Sequence, residues 1–388
     1  MSVGDLPQLD LAGESTRLEP IQRIRSAVGV AVMSQYTGHR ERVGVIDIGS
    51  NSVRMVVAEA DGAGRTKVQG KPGVWSSPYR VIVDERATTR LATGMDITGR
   101  LDDRAMEQSA YAIADMRALS QRHGVAGEQL LVVATCAVRE AKNREEFCEL
   151  IRRWSGLRVR IVSAKREAKL AFRSVASGFD LPEIETAGAT AKQPATDGKG
   201  ELKHGGLAVI DLGGGSTEVI LTGRGKKADK IKRIFPLPIG AVRITERFGG
   251  PEASTGGQFT AMKEWTKRFV IRRVWEVDRR PLLMIGTGGT VTALASMVSG
   301  KSGSAVHGQR LSIIDVRATL SDLRVMSLAD RQHVPGLSKD RADLVVGGLM
   351  ILEAVMARLG CRELIASTGG IRDGVLLGAI ERALPAKD

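Results

Sequence analysis

Cysteine is scarce in this chain: Cys136, Cys148 and Cys361 are the only three in 388 residues, and no two form a C-x-x-C pair. An odd, widely spaced set offers neither a disulfide framework nor the thiolate ligands of a zinc site. Aromatic residues are also sparse at 4%, which leaves few faces on which unpaired bases can stack and argues against a nucleic-acid partner. The apolar stretch near the N-terminus, Ala27 to Met33, falls far short of the ~20 apolar residues that span a bilayer. With no signal-peptide or twin-arginine pattern, the reading is a cytoplasmic protein without a membrane partner. The five histidines, His39, His123, His204, His307 and His333, contain no i, i+4 pair of the kind that clasps a metal from one helix face.

Positive charge is what the sequence has in excess. There are 57 Lys and Arg against 44 Asp and Glu, a net charge of +13. Such a field favours an anionic, phosphate-rich partner. The cations are scattered through runs such as "RGKKADKIKR" (Arg224 to Arg233) and "KRFVIRR" (Lys267 to Arg273). Each run alone reads as a solvated face or hairpin tip; together they make a broad positive surface.

Strand-like and helix-like segments alternate, which is the grammar of an α/β fold. Residues 1–42 lack clean periodicity and are expected to be a poorly ordered leader. Residues 43–178 are expected to form a first domain, with strands at Val43–Ile48, Val53–Glu59 and Leu130–Ala134 and a helix at Asp102–His123. Asn143 and Ser163 are placed to cap two further helices. Residues 179–205, rich in Gly, Ala, Thr and Lys from 185 to 204, read as a flexible insertion. A second domain at 206–388 repeats the grammar, and its final helix is expected to be able to pack back on the first.

One phrase is written twice. "VIDIGSNSVRMVV" (Val45 to Val57) and "VIDLGGGSTEVIL" (Val209 to Leu221) each run an apolar strand into an Asp, a Gly two places on, a short turn and a second strand. Asp47 and Asp211 lie 164 residues apart (211 − 47), so the copies open two domains of similar size. A Gly/Ser turn between strands gathers backbone N–H groups that suit phosphate oxygens. A carboxylate at the strand end can hold a hydrated Mg²⁺. One such loop alone reads more readily as a tight hairpin. Two of them, with a third Gly-rich turn, "GTGGT" (Gly286 to Thr290), read as the jaws of a phosphate clamp.

Taken in order, "DIGSNSVR", "ATCAVREAKNREEF" (Ala134 to Phe147), "SAKREAKLAF" (Ser163 to Phe172), "DLGGGSTE", "GTGGT", "VHGQRLS" (Val306 to Ser312) and "RADLVVGGLMIL" (Arg341 to Leu352) resemble the exopolyphosphatase and guanosine pentaphosphate phosphohydrolase family, Ppx/GppA. The resemblance runs from about Val43 to Ile380. It implies an α/β fold of two ribonuclease H-like domains, as in the actin, hexokinase and Hsp70 superfamily, facing across a phosphate-binding cleft. It is to the form without the C-terminal HD-type domain of longer members, whose absence is expected to limit processivity.

The resemblance also implies roles. Asp211 and Glu218 match catalytic and Mg²⁺-binding (or Mn²⁺-binding) carboxylates, with Asp47 as a further metal ligand. Gly213, Gly214, Gly215 and Ser216 match the anion-cradling turn, and Asp47, Ser50, Asn51 and Ser52 match the first phosphate loop. Gly288, Gly289 and Thr290 complete the phosphate contacts, and Arg54 and Arg139 match arginines near substrate phosphate, where a planar guanidinium grips two oxygens. Glu167 matches the presumed catalytic base, although Arg166 stands where many relatives carry a second acid. His307 is read as structural or as lining the cleft, and Cys136 as a small buried side chain. The expected activity is Mg²⁺-dependent removal of terminal phosphate from inorganic polyphosphate by a homodimer, with conversion of guanosine pentaphosphate to tetraphosphate as a second reaction. A kinase or ATPase of the same superfamily and a non-catalytic sensor of alarmone or polyanion are the alternatives.

Overall fold

The computed structural model describes residues 41–60, 66–190, 205–250, 256–275, 277, 281 and 283–383. The expected leader lies outside these residues except for Glu41 and Arg42, and regular structure begins with β1 (Arg42–Ile48). β1, β2 (Ser52–Ala60) and β3 (Tyr79–Thr88) form an antiparallel meander, after which β4 (Leu130–Ala134) and β5 (Val159–Ile161) add in parallel, giving the order β3-β2-β1-β4-β5. The second sheet repeats this with β6 (Ala208–Leu212), β7 (Thr217–Thr222), β8 (Ile231–Leu237), β9 (Met284–Thr287) and β11 (Glu363–Ala366). A short antiparallel edge strand, β10 (Arg310–Ser312), completes the order β10-β11-β9-β6-β7-β8. The doubled phrase is therefore the β1–β2 hairpin and the β6–β7 hairpin of two copies of one topology.

Both sheets are covered on both faces, which is why their central strands read as near-continuous apolar runs. Side chains alternate across a strand. Ile46, Ile48 and Met55 face α1 (Asp103–Arg122) and, after the short α2 (Cys136–Glu140), α3 (Arg144–Ser155) in the main core. Their neighbours Val43, Val45 and Val56 face the opposite way.

The covering of those opposite faces crosses between the halves. Helix α4 (Ala164–Gly178), expected to close the first domain, lays Ala168, Phe172 and Val175 on Val209, Ile220, Ile285 and Ile365 of the second sheet. Residues expected to belong to a flexible insertion follow as helix α5 (Leu181–Thr190), whose Leu181 and Ile184 join the same cluster; residues 191–204 lie outside the described residues. The apolar pair Leu181 and Ile184 is one turn apart, enough to anchor a helix whose remaining composition reads as linker. Through the second half run α6 (Ala241–Arg247), α7 (Gly256–Arg273), α8 (Gly289–Ser299), α9 (Ile313–Arg324) and α10 (Val345–Leu359). The last helix, α11 (Ile371–Ala383), returns to the first sheet and places Leu376, Leu377, Ala379 and Ile380 on Val43, Val45, Val56 and Val133. Among the described residues no helix is long and apolar enough to cross a membrane.

Two smaller expectations change. Asn143 precedes α3, but its buried side chain bonds both the N–H (2.9 Å) and the C=O (3.0 Å) of Leu101 instead of capping the helix. Ser163 does cap α4, its hydroxyl accepting from the N–H of Arg166 at 3.3 Å.

Leu376 is fully buried in the α11 contact, so Leu376→Ala should cost about 2–5 kcal/mol in a urea titration. A negligible loss would show that α11 is not integral to the first half.

Candidate active site

The two hairpins end in turns built alike. Gly49 N–H donates to Ser52 C=O at 3.1 Å, and Gly213 N–H donates to Ser216 C=O at 3.0 Å. In the first turn the carbonyls are tied back from behind: Ser50 C=O accepts from Ala92, and Asn51 C=O from Thr89 and Arg90. In the second, Gly213 C=O accepts from Ala241 and Gly214 C=O from Val242. The amide N–H groups of Ser50, Asn51, Gly214 and Gly215 meet no acceptor among the described residues, and that is the arrangement that receives an anion.

The turns touch each other. A Cβ on Gly215 would come within 2.5 Å of Ser50 Oγ and 3.1 Å of Cys136 Sγ, so glycine is what allows the close approach. Beside them Gly288 precedes α8, whose N-terminus carries Gly289 and Thr290 into the same cleft. The cavity these elements enclose is about 210 Å³.

Equivalent positions in the two hairpins carry different charges. In the first, Asp47 pairs in register with Arg54; in the second, Asp211 pairs with Glu218. Helix α4 adds Glu167 from its first turn. Glu167 and Glu218 are each 1% exposed and Asp211 is 6% exposed, while Asp47 Oδ1, Asp211 Oδ2 and Glu218 Oε1 are buried without a hydrogen-bond partner. Loss of hydration pushes Asp47 up to about 6 against the pull of Arg54 and Arg372, and loss of hydration together with repulsion from neighbouring acids pushes Asp211 and Glu167 to about 7 and Glu218 well above the usual carboxylate range. Arg139, paired with Glu167 and bonded to Val162 C=O at 2.8 Å, pulls Glu167 the other way.

Arginines stand beside these acids. Arg54, Arg341 and Arg372 all line the cleft. Burial and the neighbouring Arg54 and Arg86 lower Arg341 to about 9, a sign of cations gathered where an anion would relieve them. Arg372 is held charged by Asp373 and Asp84. Across the cleft, Arg86 and Arg90 of the first half pair with Asp340 and Asp343 of the second, and Arg243 reaches Asp96 (3.3 Å) and Glu140 (2.7 Å). Asp340 and Asp343 lie just ahead of α10, which begins at Val345.

Of the residues singled out in the sequence, Asp47, Ser50, Asn51, Ser52, Arg54, Glu167, Asp211, Gly213 to Ser216, Glu218 and Gly288 to Thr290 all line this cleft. Arg139 does not; it sits behind Glu167 as its ion-pair partner. His307 lies in a different cavity, stacked on Phe179. Cys136 lines the cleft, but burial and Glu140 push its thiol up to about 12, so it is no nucleophile at neutral pH. Arg341, Arg372 and Asp373 were missed. Arg341 opens the motif "RADLVVGGLMIL", and the signal at Arg372 and Asp373 was charge placed just after the Gly369–Gly370 pair.

The three orphaned carboxylate oxygens are an all-oxygen donor set of the kind a hard cation takes. No group of three metal-ligating side chains among the described residues closes into a ready cage, and Mg²⁺ needs none because it keeps several waters. A carboxyl raised on folding favours the fold most when protonated, so that stability is full below its unfolded pKa and is lost as pH climbs through its folded value. In metal-free buffer the urea midpoint should therefore fall as pH rises through about 6 and 7, where Asp47 and Asp211 ionise. Asp211→Asn should be less steep and more stable than the unaltered chain at pH ~8. A midpoint that climbs over this window in the unaltered chain would contradict the clustering.

Residues 67–186 and 200–383 match the model of the Ppx/GppA phosphatase family. Exopolyphosphatase 2 of Mycobacterium tuberculosis is 27% identical over 349 residues, spanning 87% of this chain and 98% of that protein. Among solved structures, an exopolyphosphatase-like protein superposes with a TM-score of 0.71 at 28% identity, covering 89% of this chain and all (100%) of the other. The Ppx/GppA enzyme of Aquifex aeolicus gives 0.61 at 28% identity, covering 87% and 99%. A duplicated sheet, two facing Gly/Ser turns and a nest of buried acids, found together with these matches, make the chain a member of the Ppx/GppA phosphatase family, an α/β enzyme.

Proposed function

We propose that this enzyme is an exopolyphosphatase that hydrolyses the terminal phosphate of inorganic polyphosphate with Mg²⁺ or Mn²⁺, and that it also converts guanosine pentaphosphate to tetraphosphate. A cytoplasmic homodimer belongs to the same reading. The observation that carries it is the meeting, in one cleft, of buried acids from both halves with unsatisfied turn amides and arginines. The relatives named exopolyphosphatase support the choice of substrate.

On this reading Arg54 and Arg341 grip phosphate oxygens, and the turn amides at Ser50–Asn51 and Gly214–Gly215 hold the terminal phosphoryl group in line. Asp47, Asp211 and Glu218 would hold the cation, which, when bound, offsets charge on the phosphate oxygens. Glu167 orients a water and accepts its proton as the water oxygen bonds to the terminal phosphorus. The bridging P–O bond breaks, and its electron pair stays on the shortened chain. A base works best with a pKa near the working pH, and burial brings Glu167 to about 7. Arg139 holds that carboxylate in place and keeps its pKa from rising further.

Phosphate release from polyphosphate and from guanosine pentaphosphate, measured in parallel, tests the proposal. Glu167→Gln should lower kcat by about 10²–10⁴-fold while polyphosphate binding persists. A chelator should abolish release, and Mg²⁺ should restore it. No release from either substrate with Mg²⁺ or Mn²⁺ overturns the hydrolase reading in favour of a kinase or sensor.

A further inference from the structure

Behind the cleft lies a second cavity of about 250 Å³, ample for several waters and a small anion. The two cavities share Thr368 and Asp373 in their linings, so the segment from Ser367 to Asp373 is the partition between them. The partition is thin for a reason visible in the sequence: Gly369 and Gly370 bring no side chain to it. A Cβ on Gly369 would lie 2.3 Å from Ser174 Oγ, so α4 rests directly on the backbone there. Helix α4 serves both spaces, presenting Glu167 to the cleft and, two turns further on, Ser174 to the cavity behind; residues seven apart share a helix face.

The second cavity has the chemistry of a passage for a small anion. Ser76, Ser174, Ser304 and Thr368 supply hydroxyls, which can turn a donor toward an anion without the grip of a guanidinium. The carboxylate in the wall, Asp373, is already engaged: it accepts from Tyr79 Oη at 2.5 Å and from Gly370 N–H at 2.9 Å, and it neighbours Arg372. His307 accepts from Thr368 N–H at Nδ1 (3.3 Å), and its Nε2 faces Gly178 C=O (3.4 Å). Lys71 lies in the wall, with the exposed Lys301 close enough to repel it. The path thus runs from an interior lined by hydroxyls and by the apolar Val68, Pro78 and Leu377, past the engaged Asp373, toward positive charge.

An enzyme that cuts from a chain end leaves the freed orthophosphate at the deepest point of its cleft, with the shortened polyanion between product and mouth. Leaving by the front means passing a like-charged chain. We propose that orthophosphate leaves through the second cavity, across the Ser367–Asp373 partition, while the shortened polyphosphate stays seated in front. This rests on the exopolyphosphatase reading above.

Ser177→Trp fills the cavity from its half-buried rim, and Ser177→Ala leaves it open. Cleavage by acid quench and free phosphate by a fluorescent phosphate sensor are followed in the same stopped-flow regime on polyphosphate. Ser177→Trp should cleave its first bond at the unaltered rate but release phosphate about fivefold more slowly or worse, giving a burst, as expected when product release becomes limiting. Ser177→Ala should behave as the unaltered enzyme. If Ser177→Trp does not fold, Ser304→Trp blocks the exposed opposite wall. Release at the unaltered rate from either folded tryptophan variant overturns the exit, while the hydrolase reading stands. Failure of the unaltered enzyme to hydrolyse polyphosphate overturns both.

Discussion

Carboxylates crowded together out of water are the constraint around which this molecule is arranged. Asp47, Asp211, Glu167 and Glu218 each meet at least one of the others electrostatically, and loss of hydration is the chief reason all four hold their protons so tightly. A fold does not assemble such a group for stability, because every one of them would be better hydrated outside. What surrounds them is consistent with that cost being offset by an incoming polar ligand. Orphaned oxygens point at no protein donor, and the nearby arginines crowd one another as the acids do.

Holding these groups in place requires two halves that cannot drift independently. The exchange of helices achieves this: α4 leaves the first half to cover the second sheet, and α11 returns from the end of the chain to cover the first. Glu167 rides on the first of these helices and Asp373 on the second, so the elements that tie the halves also carry site residues. Ion pairs from Arg86, Arg90 and Arg243 span the cleft between sequence-distant segments.

Duplication explains the frame but not the chemistry. The two hairpins share register, turn closure and the Asp at the strand end, yet the partner seven residues on is Arg54 in one and Glu218 in the other. A single charge reversal at equivalent positions sets a guanidinium beside the Asp of one hairpin and a second carboxylate beside the Asp of the other.

Much of this was legible in the sequence because it is local. The doubled phrase placed Asp47, Asp211 and Glu218 at strand ends and gave both hairpins, and helical spacing gave α1. The resemblance to a known family supplied Glu167. Contact between sequence-distant segments was not legible. No periodicity in "KREAKL" says that α4 lies on the far sheet, or that Arg139 would spend its guanidinium on Glu167 rather than on a ligand. Nor does "RADLVV" say that Arg341 reaches Gly289 and crowds Arg54. The sequence by itself determined the strands, the turns and which side chains could do chemistry, since those follow from neighbours within a few residues. The tertiary structure alone decided which charges share a cleft, which are paired away, and that a second cavity lies behind the first, because electrostatics and burial depend on distances that only folding sets.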